Sequence, residues 1–167
     1  MATIDEAAIV RFVYDEVAIL NDERYGEWLG LISEDFDYRM PAPVLRDDPR
    51  LPRYHERSLL SWESTASLRL RFQRVDTDWA WADRPPAFHR RHVTAVRVRP
   101  ATTGSTDEWE VESDVLVFRS RAPEDPTITS AKRVDTLRDV GGRLCLARRT
   151  VYIDLDRPKL SQISVLF

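Results

Sequence analysis

Apolar residues recur at three- and four-residue spacing near the start of the chain and at two-residue spacing towards its end, which predicts helices first and strands afterwards. Ile9, Phe12, Val13, Val17 and Leu20 share one helical stripe, and Thr3 with Glu6 predicts a capping box ahead of it. From Asn21 to Pro41, Tyr25, Trp28, Leu29 and Ile32 keep helical spacing before Phe36, Tyr38 and Met40 alternate, and Pro41 is expected to stop that strand. Pro41, Pro43, Pro49 and Pro52 predict a long loop from Pro41 to Arg57. Leu68, Phe72 and Val75 lie at i, i+4 and i+7, so a helix is expected within Ser61 to Val75, although Leu68, Leu70 and Phe72 also alternate.

From Arg90 onward β-branched runs dominate: HVTAVRV, WEVESDVLVF, TITSAKRVDTL and RLCLARRTVYI. Pro100–Glu108, Ala122–Pro126 and Gly141–Gly142 separate them, predicting four long antiparallel strands. A two- or four-residue loop centred on Gly141–Gly142 places Leu137 opposite Leu146 and Asp135 opposite Arg148. Helices followed by strands imply an α+β fold, with N-terminal helices packed in a strongly curved, mainly antiparallel sheet. A length of 167 residues with 43% hydrophobic content fits one domain over 1–167, burying roughly 70% of its unfolded surface.

Two features bear on contacts. Val115, Leu116, Val117 and Phe118 are apolar on both strand faces, and Ile163, Val165, Leu166 and Phe167 end the sequence apolar. A subunit interface would explain both, and would place Val117 and Phe167 against a partner; closure of the domain's own core would explain them equally. Trp79 and Trp81 precede Pro85 and Pro86, either as a partner contact or as a plug over an apolar cavity.

Composition narrows the chemistry. A net charge of -3, with Arg and Lys interspersed among acids, excludes nucleic acid as an expected partner. The start MATIDEAAIV lacks the basic residues of a signal peptide, and no apolar run exceeds four residues, so no membrane association is expected and the location expected is cytoplasmic. Cys145 is the only cysteine, which rules out an intrachain disulfide and a Rieske cluster, since that cluster needs two cysteines and two histidines. A mononuclear iron site needs two histidines and a carboxylate, and only His55, His89 and His92 exist. On a strand His89 and His92 would face opposite ways, and Arg90 and Arg91 between them disfavour a cation, so HRRH is expected to pair with acids. Arg119, Arg121, Arg133, Arg148 and Arg149 interleave with Asp114 and Asp135, predicting a cross-strand ion-pair network, with an anion-binding pocket as the sharper alternative. Five glycines form no phosphate-binding loop, and there is no Gly-x-Ser-x-Gly elbow.

Glu16, Ile19, Leu20, Asp22, Trp28, Leu29, Asp35, Tyr38, Met40 and Pro41 form a run that resembles the small (β) subunit of bacterial aromatic-ring-hydroxylating (Rieske non-haem iron) dioxygenases. The resemblance continues through DWAWADRPPAFHRRHVTAV, VLVFRSR, KRVDTLR and LARRTVYID, nearly the whole chain. It departs at Phe88 to His92 and at Ala95, where the family more often has Ser-Arg-x-Arg-His and a following Asn. The resemblance implies the cystatin-like, nuclear-transport-factor-2-like cone and a mainly structural subunit with no catalytic, cofactor-binding or metal residues of its own. It also implies a partner α subunit carrying the Rieske 2Fe-2S cluster and mononuclear Fe(II), further copies of this chain in an α3β3 hexamer, and electrons from NAD(P)H through a reductase. The complex would form cis-dihydrodiols in aromatic hydrocarbon catabolism; the substrate stays open. The alternative is a free-standing isomerase or dehydratase of the same fold, using the cone interior with Tyr38, His89, His92 or Asp114 as acid or base.

Overall fold

The computed structural model describes residues 4–75 and 86–167. Helix α1 (Glu6–Asn21) buries Ile9, Val13, Val17 and Leu20, the stripe read from the sequence. Its cap differs: the Asp5 carboxylate accepts from the Ala8 N–H at 2.8 Å, satisfying one of the first-turn donors, while Thr3 lies outside the described residues. A single turn, α2 (Tyr25–Trp28), hands the chain to β1 (Ile32–Pro43), as the change of period indicated.

Pro41 does not end β1. The strand pairs in parallel with β6 only between Ile32 and Arg39, so the missing N–H of Pro41 falls beyond that ladder. On its other side β1 continues against β2 (Tyr54–Ser64) through irregular register at Met40, Pro41 and Pro43. The expected Pro41–Arg57 loop therefore shrinks to the residues between Pro43 and Tyr54, and the helix expected within Ser61–Val75 is α3 (Thr65–Val75), since Ser61 to Ser64 belong to β2.

The four strands expected after Arg90 are β3 (Phe88–Pro100), β4 (Glu108–Arg121), β5 (Glu124–Asp139) and β6 (Leu144–Ile153), each antiparallel to the next. Together with β1 and β2 they form one six-stranded mixed sheet in the order β2-β1-β6-β5-β4-β3, followed by a short α4 (Leu160–Ile163). Gly141 and Gly142 both have positive φ, and Val140 and Arg143 exchange main-chain hydrogen bonds across them, so the loop has two residues. Leu137 pairs with Leu146 as expected. Asp135 faces Arg149 instead of Arg148, because the register shifts between Thr136 and Leu137 and leaves Ala147 as the extra residue.

The sheet folds around α1, and its two faces read differently. Buried positions alternate along β4 (Val111, Ser113, Val115, Val117, Arg119) and β5 (Thr129, Ala131, Arg133, Asp135, Leu137). Over the β1 end, Trp28 meets Phe36 and Phe72 edge-on with centroids 6.0 Å apart, and Tyr25 stacks on Phe72 at 4.6 Å.

Candidate functional site: the polar interior of the cone

Glu16 stands on the apolar stripe of α1, between Val13 and Leu20, and is wholly buried. A lone carboxylate there would cost several kcal/mol in desolvation. It is offset by three donors: Trp28 Nε1 at 2.6 Å and Arg149 Nη1 at 2.9 Å, both to Oε1, and Arg133 Nη1 at 3.3 Å to Oε2. Arg149 also clasps Asp135 through Nε and Nη2, both at 2.8 Å, in bidentate geometry. Arg133 donates from Nε to Ser113 Oγ at 3.2 Å, and its Nη2 lies 3.7 Å from Asp135 without a hydrogen bond.

Bulges and strand period bring these groups together. Arg133 and Asp135 lie two apart on β5 and share its inner face, and the extra residue Ala147 turns Arg149 inward to face Asp135. Burial by itself would raise the Glu16 pKa, but Arg149 and Arg133 outweigh it and hold the carboxyl at about 2. Burial likewise works against the Arg149 charge, but Asp135 and Glu16 tighten its hold on the proton. For Arg133, burial and the neighbouring Arg149 prevail over both acids, and its pKa is lowered.

A third buried guanidinium, Arg91 on β3, makes main-chain contacts. Its Nε donates to the Leu166 carbonyl at 2.6 Å and its Nη1 to the Leu20 carbonyl at 3.2 Å, at the negative end of the α1 dipole. The Asn21 side chain brackets the Arg91 main chain, donating to its carbonyl at 3.0 Å and accepting its N–H at 2.8 Å. Thus Arg91, expected to pair with an acid, instead ties the end of α1 to β3.

The segment after α4 fills the remaining space. Val165, Leu166 and Phe167 are buried, and Arg149 Nη1 donates to the Phe167 main-chain oxygen at 2.7 Å. Of the two readings open for this segment, closure of the chain's own core holds, and Phe167 and Val117 both point inward. The two-faced strand divides accordingly: Val115 and Val117 face the core, while Leu116 (46% exposed) and Phe118 (37%) face out. Ile128 (68%), opposite Phe118, and Phe88 (79%) on β3 extend the same outer apolar surface.

The four acid/base candidates do not converge. Tyr38 is buried on β1, and burial pushes its hydroxyl up to about 12. His89 is half-buried on the inner face of β3, held down at about 4 by burial and by Arg91 and Arg119. His92 and Asp114 are exposed on the outer face. His89 and His92 point to opposite sides of β3, and no group of three or more His, Cys, Asp or Glu residues suited to a metal occurs among the described residues. With one buried cysteine and divergent histidines, the described residues do not fit a Rieske cluster or a mononuclear iron site. The foreseen cross-strand network survives as Arg133, Arg149 and Asp135. Arg119 pairs instead with Glu124 at 2.7 Å, and Arg148 lies 3.8 Å from Asp37. Glu16 enters the sequence reading only as the first residue of the run that resembles the dioxygenase β subunit, with no role in the interior assigned to it. Trp79 and Trp81 lie outside the described residues.

Residues 15–158 match the family model described as the ring hydroxylating beta subunit. Among curated proteins, the chain is 29% identical to the 3-phenylpropionate/cinnamic acid dioxygenase subunit beta of Photorhabdus laumondii over 164 residues, covering 95% of this chain and 89% of the relative. It is 30% identical to the biphenyl 2,3-dioxygenase subunit beta of Rhodococcus jostii, covering 95% and 87%. Among solved structures, it superposes on a chain of naphthalene 1,2-dioxygenase with a TM-score of 0.83 at 19% identity, covering 100% of this chain and 89% of that one, which establishes the shared fold.

Proposed function

The chain belongs to the ring hydroxylating beta subunit family, and from that membership we propose that it is the non-catalytic, structural small subunit of an aromatic-ring-hydroxylating dioxygenase. Oxidoreductase activity belongs to the assembled complex. An α subunit holds the Rieske cluster and mononuclear Fe(II), electrons come from NAD(P)H through a reductase, and the complex is an α3β3 hexamer in the cytoplasm. The whole of 1–167 acts as one domain. The relatives' names cover several aromatic substrates, and choice among them rests with the α subunit.

The observation that carries the reading, beside family membership, is the division of labour between the two faces of the sheet. The interior is filled by the chain's own core, a charge-balanced network and the segment Val165–Phe167. The outer face of β3, β4 and β5 presents Phe88, Leu116, Phe118 and Ile128 to solvent, an apolar patch of the kind that subunit contacts cover. A free-standing isomerase or dehydratase would need its acid and base to meet in an open interior, whereas Tyr38 and His89 lie inside and His92 and Asp114 outside.

The test is the native mass and iron content of the chain produced alone and together with a candidate α subunit. A large iron-bearing complex is expected from the pair and an iron-free protein from the chain alone. A chain that stays separate from the α subunit and turns over a small molecule by itself would refute the proposal.

A further inference from the structure

Strand β3 is an edge of the sheet: β4 pairs with it on one side, and no described strand lies on the other. Such an edge offers unpaired N–H and C=O groups to any second strand that approaches. From Phe88 to Thr94 the pairing with β4 runs without a break, so this stretch is the flat part of the edge. Beyond it the register shifts between Thr94 and Arg97 and Ala95 takes a φ of +53°, a bulge that turns the rest of the edge aside.

Arg91 stands at the middle of the flat stretch. In an antiparallel strand the N–H and C=O of one residue point to the same side, and those of alternate residues point away from the paired neighbour. The Arg91 N–H and carbonyl both meet the side chain of Asn21, the last residue of α1, which accepts from the first at 2.8 Å and donates to the second at 3.0 Å. A carboxamide thus presents the donor and acceptor that a peptide of a neighbouring strand would bring; a carboxylate lacks the donor, and a methyl group lacks both. Arg91 fixes the arrangement from its own side, since its Nη1 donates at 3.2 Å to the carbonyl of Leu20, the residue before Asn21. Charge acts in the same sense: β3 carries Arg90, Arg91, Arg97 and Arg99 with His89 and His92 and no acid, so two copies of the strand laid side by side oppose like charges.

We propose that Asn21 is an edge guard: its carboxamide takes the place of a further strand on β3 and keeps the β3 edges of two copies of the chain from pairing into one continuous sheet. The pairing it prevents is antiparallel and isologous, and closes at a dimer. The guarded edge is distinct from the outer face assigned to subunit contact, and the inference does not depend on that assignment.

The test compares the full chain with Asn21→Ala and Asn21→Asp, each in a Phe118→Asp, Ile128→Asp background so that contact through the outer face does not enter. Exchange of the Arg91 amide is followed by NMR at a concentration where the chain is monomeric, and mass is followed by sedimentation velocity as concentration and salt are raised. In Asn21→Ala the Arg91 amide is expected to exchange at least about tenfold faster, the scale set by one net hydrogen bond. Its mass is expected to rise towards that of a dimer, most clearly at high salt, where the arginines no longer repel; the chain with Asn21 keeps one mass throughout. Asn21→Asp, which keeps the bond from the Arg91 N–H, is expected to fall between the two. An Arg91 amide that stays slow in Asn21→Ala overturns the proposal, and so does a fast amide with a mass equal to the parent's at every concentration and salt. If Asn21→Ala does not fold, Asn21→Asp carries the same comparison. Failure of both to fold would show that Asn21 holds the fold instead of guarding the edge, and overturns the proposal.

Discussion

Glu16→Gln tests whether the interior is held together by charge balance or by packing alone. Glutamine keeps nearly the same volume, and its amide oxygen can still accept from Trp28 Nε1, now 2.6 Å from Oε1. What changes is the charge: Arg133 and Arg149, both buried, are left with Asp135 as their one carboxylate. Removing one member of a buried ion pair costs about 3–5 kcal/mol, because the partner charge stays desolvated. For a domain of this size that corresponds to a fall in Tm of roughly 6–20 °C. The assay is thermal unfolding followed by circular dichroism, with Glu34→Gln as the surface control, since the Glu34–Arg69 pair is solvated and long at 3.3 Å. Glu16→Gln combined with Arg133→Met removes one charge of each sign and leaves the bidentate Arg149–Asp135 pair. The double variant should therefore recover part of the loss. A single variant melting within a degree or two of the parent, or a double variant worse than the sum of its parts, would show that the network contributes no charge-balance stabilisation.

Other outcomes follow from the same structure. Phe118→Asp with Ile128→Asp should leave the melting of the isolated chain nearly unchanged yet lower the mass of the assembled complex on a sizing column, because both side chains face out; unchanged mass would remove the outer face from the interface. Phe167→Ala should act in the opposite sense, costing about 3–5 kcal/mol of fold stability through the cavity it leaves, measurable by urea unfolding. Lowering the pH should destabilise the chain in two stages. His89, held at about 4, is neutral in the folded state, so stability begins to fall below about 6.5 as the unfolded chain takes up a proton; Glu16, held at about 2, adds a loss from about 4.5 down through 2. An acid titration of Glu16→Gln should show a smaller second stage, the remainder coming from Asp35, Glu108 and Glu112, whose carboxyls are also held below the usual range by hydrogen bonds from Ser33, Arg138 and Lys132. Gly142→Val should cost about 1–2 kcal/mol, since φ is +89° there in the two-residue turn, and a melting point equal to the parent's would show that the turn relaxes freely.

Much of the fold could be read because local period and tertiary role agree. The α1 stripe, the change from helical to alternating spacing at Ile32, and the strands after Arg90 all follow side chains that face one core. The misreadings arise where a distant contact decides. Pro41 stays in β1 because its β6 neighbour has already diverged, which no local rule reveals. The extra Ala147 moves Arg149 opposite Asp135, and a register counted outward from the glycine turn misses it by one residue. The arginines and acids were visible as a cross-strand pattern, but their focus on Glu16 was not, since that residue comes from a helix 133 positions before Arg149. Phe167 gave no sign of which surface it would meet, because an apolar segment looks the same whether it lies in its own core or against a neighbour.

The parallel pairing of β1 with β6 joins the beginning of the sheet to its final strand, with Ile32 opposite Leu146. During synthesis β1 has only β2 to pair with, and the Glu16 carboxylate has neither of its guanidinium partners, until β5 and β6 have emerged. Native sheet order therefore cannot nucleate locally at the N-terminus and then grow. It must wait for a long-range closure whose entropic cost falls late, which places the chain among slow-folding topologies and leaves its first half exposed for most of translation.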